Sequence, residues 1–249
     1  MTHTDYSYVG SGQVLIKEHG AAAPFLPIGN CSKLEFSPQV NTLQLQDFTN
    51  PGGGIRNRID RVNDVQFTLT FHDFSAENFA RFLRGTSTVT DLGTVTAEPV
   101  VGYAGGWTPL AKIAATITAV KPSGGGTPYT AGEDYLLEHG GLTIPLESAI
   151  PIPEPGAPNI QVDYTFARHT VTEAFVHAAQ QYTLVFTGMN EARSGKPVRV
   201  IAHKISGGVL STLGLLGEDY GAGDVSGSLL ADTTQASGLS KFFQVVVVA

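Results

Sequence analysis

The sequence predicts a mainly β protein: one core domain carrying a single flanking α-helix, and a second, small all-β sandwich inserted into it. Three observations predict this. Apolar and polar residues alternate with period two in several stretches, the spacing that gives a strand one dry and one wet face. Charged residues make up only 15% of the chain while Gly and Pro are abundant (29 and 14), which suits many turns between short strands. One stretch alone has the start, face and stop of a helix. With 249 residues and 42% hydrophobic content the chain can bury a core, in one large or two modest domains.

The strands follow in chain order. Leu34 and Phe36 alternate with Lys33, Glu35 and Ser37, and Leu43 and Leu45 alternate with Gln44 and Gln46. After the loop NPGGGIRNR (Asn50 to Arg58) comes the clearest pattern, Val65 to His72. There Val65, Phe67, Leu69 and Phe71 share one face, and Gln66, Thr68, Thr70 and His72 the other. The helix comes next. Ser75 is a good N-cap, Glu77 lies in the first turn, and Phe74 and Phe79 are placed for a hydrophobic staple. Phe79, Phe82 and Leu83 share its apolar face, Arg81 and Arg84 sit towards the negative end of the dipole, and Gly85 is placed to close it after about ten residues.

Between roughly Leu92 and Thr172 the punctuation changes, with Gly105-Gly106, Pro122 to Gly126, and Pro151 to Pro155 separating short runs. Ile113 to Val120, Tyr135 to Leu137, Leu142 to Ile144 and Ile160 to Phe166 read as strands of a small sandwich. This segment, 91–173, is expected to be an inserted surface domain in a discontinuous core domain, 1–90 and 174–249. Beyond it, Tyr182 to Phe186 and the stretch from Val198 to Val200 read as core strands, and Val209 to Leu216 as a possible helical turn. Phe242 to Val248 reads as a strand that is fully buried or covered by a neighbouring subunit.

Charge and chemistry narrow the function. The net charge is −7, the sequence pI is about 5.4, and no Lys/Arg block appears, so a strong electrostatic grip on nucleic acid is not expected. The single cysteine, Cys31, allows no intrachain disulfide and reads as a small buried side chain. The N-terminus lacks a charged start followed by an apolar run, and the longest aliphatic run, Val245 to Val248, is too short to span a bilayer. A soluble chain, intracellular when made and without membrane contact, is the expectation.

The glycine triplet could cradle a phosphate, serve as a lid, or order against another copy. A phosphate loop requires Lys-Ser/Thr after the last glycine, and Ile55-Arg56-Asn57 stands there instead. Gly10-Ser11-Gly12 lacks the third glycine of a dinucleotide fingerprint, and no Gly-x-Ser-x-Gly elbow exists. None of the seven histidines forms a short metal-ligand pair. Asp73, after His72, reads as a turn or capping residue. Glu133 and Asp134, taken as strand neighbours, would point to opposite faces, unlike a glycosidase pair. Tyr103 and Trp107 could form a stacking platform or simply pack. No catalytic, metal or cofactor residue is assigned.

In order, YVGSGQVLIKE (Tyr8 to Glu18), FLPIGNCSKLEFS (Phe25 to Ser37), the stretch from Leu45 to Gly85, VFTGMNEARSGKPVRV (Val185 to Val200), GDVSGSLLAD (Gly223 to Asp232) and FFQVVVV (Phe242 to Val248) resemble the major tail tube proteins of long-tailed bacteriophages. The resemblance covers most of residues 6–90 and 175–249. It implies a tail-tube β-barrel or sandwich with one flanking helix, and an Ig-like insertion. It further implies a non-enzymatic virion protein, assembled in the host cytoplasm into hexameric rings that stack head-to-tail. The tube would be a conduit through which genomic DNA passes without specific binding. Tape measure, tail terminator and distal tail proteins would be partners. The inter-ring loop would be Asp47, Phe48, Thr49, Asn50, Pro51, Gly52, Gly53, Gly54, Ile55, Arg56, Asn57 and Arg58, with Arg56 and Arg58 facing acids on the next copy. The insertion would obstruct a sheath, which points to a non-contractile tail. The alternative is a carbohydrate-binding or adhesin-like sandwich with Tyr103 and Trp107 at its glycan contact; a hydrolase with dispersed carboxylates is a third.

Overall fold

A computed structural model describes residues 5–248. His3 and the first residues of the stretch read for targeting lie outside them. The chain divides into two compact units, one made of residues up to Ser87 and from Thr172 onward, the other of Thr88–Val171. In chain order the elements are β1 (Gly10–Glu18), β2 (Leu26–Gly29), β3 (Cys31–Gln46), β4 (Ile55–Phe71), α1 (Ala76–Phe82) and β5 (Thr86–Thr90). Then come β6 (Gly93–Val100), β7 (Gly106–Thr108), β8 (Ala114–Pro122), β9 (Leu136–Glu138), β10 (Gly141–Ile144) and β11 (Ile160–Phe166). Last are β12 (His169–Glu173), β13 (Gln181–Asn190), β14 (Lys196–Ser206), β15 (Val209–Leu213), β16 (Gly223–Ser228) and β17 (Phe243–Val247). Strands β12 and β5 form a two-stranded ladder where the chain passes between the units.

The first unit has two antiparallel sheets, ordered β17-β14-β13-β1-β2 and β15-β16-β4-β3. Register explains the core. On one face of the five-stranded sheet, Ile16, Leu184, Ala202 and Phe243 form a cross-strand row. They pack with Val65, Phe67, Leu69, Phe71 and Val225 from the other sheet in one hydrophobic cluster. Full burial of each large side chain is worth about 1.5–3 kcal/mol. The expected dry face of Val65 to Phe71 is therefore the four-stranded sheet's contribution to the core.

Three expectations change here. Both sheets have free edges among the described residues, so no barrel closes. Val209 to Leu213 is strand rather than helical turn, because it pairs with β16. Strand β17 is an edge strand with Val245 and Val247 about half exposed, so it is not buried within its own chain.

Helix α1 is capped as its sequence requires. The Ser75 hydroxyl accepts from Asn78 N–H at 3.2 Å, and the Phe74 and Phe79 rings stand 5.5 Å apart. The C-terminus departs from expectation. The helix is only seven residues long, and the left-handed residue after its C-cap Leu83 is Arg84 (φ +50°), not Gly85. Asp73, expected as a turn or capping residue, has its carboxylate on a different bend: it accepts from Asn30 N–H at 3.0 Å, between β2 and β3.

The second unit contains two three-stranded antiparallel sheets, β7-β10-β9 and β6-β11-β8. Leu142 and Ile144 from one, and Val120, Ile160, Val162 and Tyr164 from the other, share a core. The buried Tyr164 hydroxyl donates to Glu98 at 2.5 Å and accepts from Lys112 N–H at 3.1 Å. Burial first, then the Glu98 bond, push its pKa up to about 12. Glu133 and Asp134 lie in a turn rather than along a strand. Asp134 accepts from the backbone N–H groups of Thr130 and Ala149, both at 2.8 Å, which lowers its pKa and makes it a turn staple.

Candidate functional site

Beyond Asp64 the β3–β4 hairpin leaves the core. Every residue of β4 from Ile55 to Asn63 is exposed, although the ladder with β3 continues. Extra residues at Asn63 and Arg56, where the register shifts, bound this arm at its two ends. Its seven-residue β3 side, from Val40 to Gln46, spans about 20 Å at ~3.3 Å per residue. Leu43 pairs with Ile59, and Leu45 follows on the same face. All are about half exposed, and Phe48 at the tip is 85% exposed. The opposite face is mixed: Val40 pairs with Val62, both about half exposed, while Thr42 donates to Asp60 at 2.6 Å and Arg58 Nε donates to the same oxygen at 3.0 Å.

One site boundary is corrected by this geometry. Ile55, Arg56, Asn57 and Arg58 belong to strand β4, not to the loop. Arg58 already has Asp60 for an acidic partner within its own chain. The loop proper runs from Asp47 to Gly54, closed by Asp47 N–H donating to the Gly54 carbonyl at 2.7 Å. The Asp47 carboxylate accepts from Thr49 N–H, Thr49 Oγ1 and Asn50 Nδ2 at 2.8, 2.6 and 2.8 Å, and these bonds lower its pKa. Gly52, Gly53 and Gly54 all have positive φ (109°, 66° and 135°), and no neighbouring atom would meet an added Cβ at any of them. Backbone conformation, not space, is what demands the triplet.

The same unit carries an apolar groove of about 870 Å³. Its floor continues the cross-strand rows of the core. The next row is Val14, Phe186, Val200 and Val245, and the one after it Gly12, Gly188, Val198 and Val247. Gly12 and Gly188 oppose each other so closely that a Cβ on Gly12 would lie 2.4 Å from the Thr187 carbonyl oxygen. Residues Cys31 to Phe36 of β3 form a wall. Cys31 is half-buried there, and burial, with Asp73 second, pushes its thiol up to about 11, far from a reactive thiolate at neutral pH. Sequence reading missed the groove because it is assembled across five strands. The signal was the alternation of Val198 with Val200 and the valine run Val245 to Val248.

The other candidates are dispersed. Trp107 and Tyr103 are each about half exposed. The Trp107 indole donates to the Glu138 carbonyl at 2.8 Å and lies over Gly141, where an added Cβ would meet it at 2.6 Å. One ring face is thus packed and its orientation fixed. His72 is tied to Ser32 and to the Gly221 carbonyl. Among the described residues no group of three or more His, Cys, Asp or Glu is arranged to hold a metal ion, and no helix is long and apolar enough to cross a membrane.

The family model described as "Protein of unknown function UCP028589" matches residues 7–246. No match is found among curated proteins.

Proposed function

We propose that this chain, which belongs to the family described as "Protein of unknown function UCP028589", is the structural subunit of a self-stacking tube. It is read as the tail tube of a long-tailed, non-contractile bacteriophage, built from hexameric rings. The first unit would have the tail-tube fold and the second would be an Ig-like surface domain. The observation that carries the reading is the β3–β4 arm, a hairpin that buries neither face in its own chain yet bears Leu43, Leu45 and Ile59 on one of them. Apolar side chains held out on a rigid ladder need a partner surface. The free edges of both sheets support the reading, since edge-to-edge pairing around a ring removes an aggregation hazard. Closed rotation would form rings, and head-to-tail contact an open stack. In that assembly the arm and the loop Asp47 to Gly54 contact the next ring, over more than ~1,000 Å² per specific contact. Tape measure, terminator and distal tail proteins meet the tube, and DNA passes through the lumen without specific binding.

The test is negative-stain microscopy of the concentrated protein with two variants. Wild type is expected to form rings or filaments. Deletion of Gly52 to Gly54, and the double substitution Leu43→Asp with Ile59→Asp, are expected to keep the circular dichroism of the folded chain and block tube growth. A wild type that stays monomeric at every concentration, or variants that grow normal tubes, would overturn the reading.

A second reading is favoured by Trp107, whose orientation is locked while half the residue remains exposed. A carbohydrate-binding or adhesin-like role would use that ring, with Tyr103, to stack on a sugar. Binding on a glycan array that Trp107→Ala abolishes would support it; an array with no binding would remove it.

A further inference from the structure

Arg81 and Arg84 meet just beyond the end of α1 with no carboxylate between them. They line a notch of about 30 Å³ together with His177, Gln180, Tyr182 and Gly207. Among the described residues neither arginine takes part in an ion pair. Arg81 Nη1 donates to Asn78 Oδ1 at 3.2 Å, while the Nε of Arg84 is buried without an acceptor. A buried charged donor left unmatched is costly, so its persistence calls for a reason.

Capping of the helix does not supply one. Arg84 Nε reaches no carbonyl, and four carbonyls around the helix end are already used: Phe79 O accepts from Leu83 N–H, Ala80 O from Gly85 N–H, Leu83 O from Phe175 N–H and Arg84 O from His177 N–H. The backbone adds a second oddity. Arg84 stands in the left-handed position where glycine is favoured, with Gly85 next in the chain. A local strain is accepted to hold a guanidinium there. The remaining polar groups are committed or are donors. His177 Nε2 bonds Thr86 Oγ1 at 2.7 Å, and Tyr182 O–H donates to Gln180 Oε1 at 2.9 Å, leaving Gln180 its amide N–H groups. Glu77 is the acid whose charge reaches Arg81 from one helical turn away, and it makes no ion pair with it.

We propose that this notch binds an oxyanion by a two-oxygen edge, with Arg84 as the fork and Arg81 and Gln180 as flanking donors. A water needs about 10–15 Å³ of such space, so the volume admits about two oxygen atoms. A planar guanidinium fork matches a pair of coplanar oxygens in a carboxylate or phosphate. Either a free oxyanion or the carboxylate of a second copy supplies this chemistry, and the inference is independent of tube formation.

The test uses the full chain at constant ionic strength, titrated with inorganic phosphate against chloride, following the Arg84 Nε–H signal by NMR and the melting temperature. Phosphate is expected to shift the Nε–H signal saturably and to raise the melting temperature by about 2–4 °C for each kcal/mol of binding. Arg84→Gly relieves the left-handed strain. It is expected to melt no lower than wild type in chloride and to lose the phosphate-specific rise. General salt exclusion would stabilise both proteins equally. Equal phosphate dependence in both, with an unmoved Nε–H signal, overturns the proposal. A shift that appears on raising the protein concentration without phosphate, together with self-association by sedimentation that Arg84→Gly abolishes, identifies the carboxylate of a second copy as the source.

Discussion

The two halves of β4 belong to one strand, on one ladder, and they meet opposite fates. From Val65 to Phe71 the apolar positions are buried under the five-stranded sheet; from Ile55 to Val62 the apolar positions are about half exposed. What separates them is the extra residue at Asn63, where the pairing shifts from Gln39↔Asp64 to Val40↔Val62. Alternation therefore states which way a side chain points, and not whether anything lies over it. Cover depends on a second layer, and only the root of the hairpin has one in this chain.

The largest expected effect tests the root. Phe67→Ala should cost the first unit about 3–5 kcal/mol, read as a lower urea midpoint, because Phe67 is buried among Leu69, Phe71 and Val225. A loss no larger than that of an arm substitution would break the comparison. Next comes the tip. Gly53→Val places a β-branched residue at φ +66° and should cost the hairpin about 1–2 kcal/mol, seen as faster amide exchange at Asp47. Acid probes the arm more gently. Hydrogen bonds hold the carboxyls of Asp47 and Asp60 below the usual carboxylate range, so what they add to stability is present above the unfolded value near ~3.9 and lost as the pH falls through the lower folded values. Exchange at Thr49 N–H should accordingly rise, relative to its intrinsic rate, only below about pH 4. The smallest effect is the sharpest. Ile59→Thr should change the stability of the free subunit by no more than about 0.5 kcal/mol. It should still weaken assembly, measured as a higher critical concentration by light scattering.

The comparison also explains what was legible in the sequence. The root was legible because burial and alternation agree there, and the N-cap at Ser75 because its chemistry is local. Ile55 to Arg58 was read as loop because a strand that is wet on both faces has no apolar contrast, and a glycine triplet precedes it. The helix end was misplaced by one residue because glycine normally holds the left-handed position that Arg84 takes here. Strands β5, β6, β7 and β12 were not read at all; Gly106–Thr108 is too short to show a period. For the site, the glycines of the loop were legible as a turn that needs them. The groove and the arginine notch were not, because each is assembled from segments far apart in the chain.

That distance has a consequence in time. The Val9 N–H bond to the Asn190 side chain spans 181 positions, and β1 lies along β13 throughout its length. At about 5–20 residues per second of synthesis, β13 follows β1 from the ribosome after an interval on the order of ten seconds or more. Strand β2 is at hand almost immediately, and the second unit, whose two three-stranded sheets pair strands of that unit alone, can complete itself in the meantime. The open edge of β1 and the valine-bearing rows behind it must wait. The nascent chain thus has a scheduled interval of stickiness, set by where the second unit interrupts the first, in which a chaperone would find its opportunity.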